Sequence, residues 1–222
     1  MRFDVLTLFP EMVDGVLRTS ITGRAADAGY IEFYTHNIRD FSDDPRRRVD
    51  DTPYGGGSGM VMQAEPVYRC IGSVGRAPSS RVIYMSPKGR VLTQNKAMEL
   101  SRLDQLIILC GHYEGIDQRV LDECVDEEIS IGDYVLTGGE LPACVLVDCV
   151  SRMIDGVLAE EASYKDESIF GGLLEYPHYT RPPVWHGKEV PEILKNGDHA
   201  KIDEWRYRKS IEVTREKRPD LI

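Results

Sequence analysis

Three loops in the sequence could bring backbone hydrogen-bonding groups close to a small ligand. They are Ser86–Gly89, Gly111–Gly115 and Gly132–Gly139, and each follows a short apolar strand. Glycine has no Cβ, so backbone N–H and C=O groups can approach a ligand closely at these positions. One such loop alone is usually only a turn. Three of them at consecutive strand ends favour a ligand pocket, because open α/β sheets bind ligands at the carboxyl ends of their strands.

Phosphate and metal motifs do not explain these loops. The further glycine run Gly55–Gly59 lacks the Lys-Ser/Thr pair of a P-loop, and no G-x-G-x-x-G joins a strand to a helix. None of the five histidines pairs with another at metal-ligand spacing, so no metal site is predicted. The five cysteines lack a C-x-x-C pair and are interpreted as small buried residues in a reducing compartment.

The elements that position the loops alternate between strand and helix. Strands are predicted at Phe3–Leu8, Ile31–Thr35, Val82–Met85 and Leu106–Cys110. A further strand is predicted to end with Ile129 and Ile131. Helices are predicted from Pro10 to about Gly29, at Thr93–Ser101, from Asp117, and along a stretch where Leu146, Cys149, Val150 and Met153 recur at helical spacing. This order predicts an α/β fold with a mainly parallel sheet and helices on both faces.

The domain organisation follows from where the apolar pattern stops. Residues 1–158 are predicted to form the α/β domain, and 159–176 an exposed interdomain linker. Residues 177–222, with helical sequence around Trp205, form a small helical C-terminal domain. No apolar run reaches the roughly 18 residues of a membrane helix, and Met1–Val5 does not resemble a signal peptide. A cytoplasmic protein without membrane association is therefore expected.

The charge of the chain does not exclude a nucleic-acid partner. The net charge of −10 argues against phosphate binding, which needs positive charge. Two basic regions are exceptions: Arg46–Arg48, and Lys201–Arg218 with seven basic and four acidic residues. Both are consistent with contacts to phosphate and with an ordinary solvated surface.

Four long segments together resemble a known family. They are DDTPYGGGSGM at 50–60, CGHYEGID at 110–117, SIGDYVLTGGELP at 130–142 and YPHYTRP at 176–182. In order and spacing they are similar to the signature segments of bacterial tRNA (guanine-N1)-methyltransferases of the SPOUT class. The resemblance runs from Phe9 to Pro219. It favours this family over another SPOUT enzyme acting on ribose or rRNA, and over a noncatalytic RNA-binding module that retains only the fold.

The resemblance implies a trefoil-knotted catalytic domain, an obligate homodimer and S-adenosylmethionine as methyl donor. It also implies the cofactor-binding residues Tyr84, Met85, Ser86, Pro87, Gly111, Tyr113, Glu114, Ile131, Gly132, Asp133, Tyr134, Val135, Leu136, Gly138, Gly139 and Pro142. A branched side chain at Gly138 is expected to intrude on the cofactor and leave the fold largely intact.

The implied chemistry is methylation of N1 of the guanosine next to the anticodon, on its 3′ side. N1 carries a proton at neutral pH, so a general base is needed, and a cation near O6 would stabilise the developing negative charge. The resemblance assigns the cation to Arg152 and the base to a linker acid, Glu167 by register or Asp166 one residue earlier. It also implies a magnesium requirement. With tRNA as the substrate, contacts with it are expected from Arg46, Arg47, Arg48, His178, Arg181, Arg206, Arg208 and Lys209.

Overall fold

The computed structural model describes residues 1–158 and 167–222. The chain divides into two compact units, Met1–Ala159 and Glu160–Ile222. Residues 167–176 therefore belong to the second unit, and the separate linker at 159–176 stays a prediction. Asp166 lies outside the described residues.

The first unit is built on a five-stranded sheet in which every neighbouring pair is parallel. Its strands, in spatial order, are β2 (Glu32–Asn37), β1 (Arg2–Thr7), β6 (Gln105–Cys110), β5 (Ser80–Val91) and β7 (Glu127–Ser130). Two short strands, β3 (Asp50–Asp51) and β4 (Val61–Met62), form a separate antiparallel pair. All six residues of the central β6 are buried, as expected for a strand covered on both faces.

Helices cover both faces of this sheet. Those of the first unit are α1 (Pro10–Leu17), α2 (Ser20–Asp27), α3 (Ala64–Ser73), α4 (Gln94–Leu100), α5 (Gln118–Cys124) and α6 (Glu140–Ser151). Residues of α1, α2, α4 and α6 pack on the face that carries Ile108, while α3 and α5 pack on the face that carries Leu109. The predicted fold class, a mainly parallel sheet with helices on both faces, is confirmed.

The single helix predicted from Pro10 to about Gly29 is wrong: two helices occupy this stretch. Thr19 is extended between them, and Ser20 has a φ of 55°. A Cβ on Gly23 would lie 2.5 Å from the carbonyl oxygen of Arg18. The apolar periodicity continues through the break, which is why the pattern alone indicates one helix.

The loop predicted at Ser86–Gly89 is a bulge inside β5. The pairing of β5 with β7 shifts register between Met85 and Arg90 and then resumes. A Cβ on Gly89 would overlap the backbone of Glu128. Glycine is needed here so that β5 can pass close to β7 after the bulge.

The second unit is organised around the helix α7 (His199–Lys217), as the helical sequence around Trp205 predicts. The Asp198 side chain caps its N-terminus by accepting a hydrogen bond from the Lys201 backbone N–H. Short strands β8 (Val184–Trp185) and β9 (Lys188–Glu189) form a hairpin. In the described part of the chain, no helix has the length and apolar content of a membrane span.

Candidate active site

A cleft of about 230 Å³ lies where the loops after β6 and β7 meet the bulge of β5. Every predicted cofactor-binding residue except Asp133 lines it. The Asp133 side chain is exposed outside this lining, and its role stays a prediction. The lining also includes His112, Gly115, Ile129, Ser130 and Thr137, which sequence reasoning did not select. Each lies in the same loop or strand end as a predicted residue, so a prediction that included every residue of these stretches would have contained them.

Backbone contacts hold the two main loops of the cleft together. Gly139 N–H donates to the carbonyl oxygen of Gly111 at 2.9 Å, and His112 forms a β-bridge with Gly138. A Cβ on Gly139 would lie 2.7 Å from the Cα of Cys110, and one on Gly111 would lie 2.7 Å from the Tyr84 hydroxyl oxygen. These glycines are therefore required for packing between loops, in addition to any role in ligand approach.

Gly138 is enclosed by side chains of the protein itself. A Cβ there would overlap Oε2 of Glu140 and lie 3.0 Å from Nδ1 of His112. Glu140 is buried, and its Oε1 accepts a 2.7 Å hydrogen bond from the Thr7 hydroxyl. A larger residue at Gly138 would therefore disturb the buried carboxylate first. A branched residue at Gly138 is therefore expected to weaken ligand binding by displacing Glu140, and to disturb the fold as well.

Two polar side chains in the cleft are suited to contacting a ligand. Burial, followed by the nearby negative charge of Glu128, raises the pKa of Tyr84 to about 12, so its hydroxyl remains a hydrogen-bond donor at neutral pH. Nδ1 of His112 is buried and has no hydrogen-bond partner among the residues that the structure describes. Leaving such an atom unpaired costs about 1–3 kcal/mol, and a bound polar group would remove this penalty.

The apolar part of the cleft is suited to a flat heterocycle. Met85 is buried, Ile131 is half-buried and Leu136 is exposed, and all three line the cleft. Apolar walls with a few fixed polar groups are typical of cofactor pockets.

The glycine run at 55–59 lies against the loop that follows β6. The Glu114 backbone N–H donates to the carbonyl oxygen of Met60 at 3.0 Å. A Cβ on Gly59 would lie 2.5 Å from Oε1 of Glu114, and its φ of 85° favours glycine. The run therefore supports the cleft loop that carries Glu114.

The predicted catalytic residues lie in different units. Arg152 is the half-buried C-cap residue of α6 in the first unit. Glu167 is half-buried in the second unit and lines a pocket there with residues of α7. The alternative base, Asp166, falls outside the described residues.

The basic residues predicted to contact tRNA are largely paired with acids. Arg47 pairs with Asp40, and Arg48 contacts Asp44 at 2.6 Å, which holds the pKa of that carboxyl below its usual range. In the second unit, Arg206 pairs with Asp203, both Arg208 and Lys209 approach Glu212, and His178 lies 2.9 Å from Glu175. Arg46 and Arg181 are exposed.

Thiol chemistry has no support in the first unit. All five cysteines are free, and Cys70, Cys110 and Cys144 are buried. Burial raises the pKa of Cys70 to about 12, and burial, together with Glu140, raises that of Cys144 to about 11. These thiols remain protonated and unreactive at neutral pH.

A parallel α/β sheet with a glycine-rich, mixed polar and apolar cleft at its strand ends defines a cofactor-binding enzyme domain. Comparison with known proteins shows which family it belongs to. The family model described as tRNA (guanine-1)-methyltransferase TrmD matches residues 1–222. The chain belongs to this family and is a tRNA (guanine-N1)-methyltransferase.

Individual relatives match over nearly all of their length. Proteins named tRNA (guanine-N(1)-)-methyltransferase are 59% identical in Ruminiclostridium cellulolyticum, 55% in Alkaliphilus metalliredigens and 51% in Clostridioides difficile. Each match covers 100% of this chain and 96%, 92% and 97% of the respective relative.

Proposed function

We propose that the cleft of the first unit binds S-adenosylmethionine and that the chain transfers its methyl group to N1 of a tRNA guanosine. As a member of this family, the enzyme acts on the guanosine that follows the anticodon, at position 37. One observation carries the assignment of the cleft: residues from three stretches that are separate in the sequence line a single cavity. The cytoplasm, where tRNA is modified, is the proposed location.

The cleft residues fit the proposed cofactor. Met85, Ile131 and Leu136 can contact the two faces of an adenine ring, while backbone groups of the loops read its polar edge. Nδ1 of His112 and the protonated hydroxyl of Tyr84 can pair with the polar substituents. When bound, the sulfonium supplies an electrophilic methyl group.

The protein must remove the proton on N1 of guanine before its lone pair can react. We assign this step to Glu167, which occupies the register of the family's acid before Ser168, with Asp166 as the alternative. Arg152 is assigned to stabilise the negative charge that develops on O6.

We propose that the active enzyme is a homodimer. Exposed apolar side chains support this: Met12 and Val16 are one turn apart on α1, and Leu141 and Val145 are one turn apart on α6. Met12 and Leu141 line the same surface pocket. A second copy of the chain would cover these residues, and light scattering should report twice the monomer mass. We propose further that the linker of one subunit and the knotted region of the other jointly complete each site.

Magnesium and the trefoil knot remain further proposals from the family. Within residues 1–158 and 167–222, no group of three His, Cys, Asp or Glu side chains could hold a metal ion. The described residues therefore do not fit a protein cage for magnesium, and no step above depends on it. Activity at controlled magnesium concentrations tests the requirement.

Thermal unfolding with S-adenosylmethionine, followed by transfer of a labelled methyl group to unmodified tRNA, tests the proposal. At about 100 times the dissociation constant, the cofactor should stabilise the fold by about 2.7 kcal/mol, or roughly 5–10 °C. A noncatalytic RNA-binding module would bind tRNA without transferring methyl groups.

A further inference from the structure

The exit segment, residues 152–157, carries the chain away from the end of α6 in a series of single turns. The backbone N–H groups of Met153, Ile154 and Val157 donate to carbonyl oxygens three positions earlier, at 3.0, 3.1 and 3.2 Å. Turns of this kind have poorer hydrogen-bond geometry than an α-helix and do not continue as one. The position of the segment therefore depends on what its side chains and backbone pack against.

One side of the exit segment packs on the core of the first unit. Met153, Ile154 and Val157 are partly buried against the core cluster on the Ile108 face of the sheet. Nε2 of Gln94 donates to the sulfur of Met153 at 3.0 Å. Apolar packing is not directional, so these contacts hold the segment on the core but allow it to slide or tilt. A further contact is needed to fix its direction.

Gly156 provides such a contact, because it lies directly against the ring of Tyr30. Its φ is 88°, in the left-handed region that favours glycine. A Cβ at this position would overlap Cε1 of Tyr30 and lie 2.7 Å from Cδ1 and Cζ of the same ring. Glycine is therefore needed here for two reasons: the conformation of the backbone and the space that the Tyr30 ring occupies.

The Tyr30 ring stands on a backbone that is fixed from both sides. Its N–H donates to the carbonyl oxygen of Ala25 at the end of α2, at 3.0 Å. The next residue, Ile31, is buried, and the chain then enters β2, where Glu32 N–H donates to the carbonyl oxygen of Met1 at 2.9 Å. The side chain of Tyr30 is 46% exposed, so it reaches the exit segment from the surface of the unit.

We propose that Tyr30 is a positioning residue for methyl transfer: by holding Gly156 it fixes the exit segment and, at the start of that segment, Arg152. The inference rests on the proposed function, in which Arg152 stabilises the negative charge on O6. Such a group must be held within about 0.5 Å of its productive position, and a displacement of about 1 Å can cost about 10²-fold in rate. In the described part of the chain, Tyr30 is not among the residues that line the cofactor cleft, so it acts through Arg152.

Single-turnover methyl transfer at saturating S-adenosylmethionine and unmodified tRNA tests this role. Tyr30→Ala should lower the rate about 10- to 100-fold and leave the affinity for both ligands unchanged, because the cation is needed in the transition state. Tyr30→Phe keeps the ring and should retain the wild-type rate. Tyr68→Ala is the matched control: this tyrosine on α3 is 47% exposed, and its variant should behave as wild type.

Two further variants separate positioning from a general loss of stability. Gly156→Ala disturbs the same contact from the other side, by displacing the Tyr30 ring, and should lower the rate by a similar factor. In the Arg152→Ala protein, Tyr30→Ala should cause no further loss, because both changes remove the same interaction. A wild-type rate in Tyr30→Ala, or an equal loss by Tyr30→Ala with and without Arg152, would overturn the proposal.

The same measurements distinguish this inference from the proposed function. Stabilisation by S-adenosylmethionine, measured in every variant, confirms that each is folded. If Arg152→Ala transfers the methyl group as fast as the wild type, the role assigned to Arg152 fails, and the inference fails with it. If Arg152→Ala is slow and Tyr30→Ala is not, only the positioning role of Tyr30 fails.

Discussion

The cleft of the first unit and the pocket of the second unit are built in different ways. Backbone hydrogen bonds and glycine contacts between loops at the ends of buried parallel strands form the cleft. Side chains of one helix and one short segment form the pocket, which is rich in charge. The first arrangement holds backbone groups at fixed positions, whereas the second presents charged and aromatic side chains. Under the proposed function, the first region holds the methyl donor and the second region contacts tRNA.

The largest effect should come from the second region. Glu167→Gln should reduce single-turnover methyl transfer about 10²- to 10⁴-fold with both ligands still bound, because a general base is lost. Asp166→Asn, the control, should retain most of the activity. The reverse pattern would place the base at Asp166, and full activity in both variants would assign proton removal to another group.

A substitution in the cleft tests whether its loops are as rigid as their contacts indicate. Gly138→Val should abolish detectable binding of S-adenosylmethionine in calorimetry and also lower the melting temperature, because the side chain would displace Glu140. Gly72→Val is the control, since a Cβ at Gly72 meets nothing within 4 Å. Unchanged cofactor affinity in Gly138→Val would contradict the placement of the pocket.

The charged surface of α7 is predicted to contact tRNA phosphates. Replacing Arg208 and Lys209 together by Gln should weaken tRNA binding and lower the salt slope by up to about two, because each residue can contact one phosphate. Cofactor affinity should not change. If tRNA affinity and its salt slope are both unaffected, these residues form only a solvated helix face.

The smallest effect concerns the sheet that supports the cleft. Burial alone would raise the pKa of Asp4, but hydrogen bonds from His36, Arg2 and Gln105 outweigh it and lower the pKa overall. The stabilisation from the ionised Asp4 is therefore complete above the ordinary pKa of about 3.9 and is lost as the pH falls through the lower, folded value. When the free energy of unfolding is measured as a function of pH, it should decrease less steeply toward acid in Asp4→Asn than in the wild type. An identical pH dependence would show that Asp4 contributes nothing to acid unfolding.

The sequence predicted best those structural features that depend on neighbouring residues or on a recognisable motif. Leu106–Cys110 is apolar throughout and forms a buried strand, and the loops that follow β6 and β7 line the cleft. The break at Thr19 was missed because the apolar pattern continues through it. The bulge after Met85 was predicted as a loop because the polar residues Ser86–Gly89 end the apolar pattern, whereas β5 resumes its pairing with β7 beyond them. The contact of Leu174 with Thr214 joins residues 40 positions apart, and no periodicity encodes such a pairing.

Mapping the methylated nucleoside in unmodified tRNA after incubation with the protein and S-adenosylmethionine tests the central claim most directly. The expected product is 1-methylguanosine at position 37, formed by the wild-type protein and strongly reduced in Arg152→Ala. A methyl group on ribose, on another base or at another position would contradict this account, as would the absence of transfer by a protein that binds both ligands.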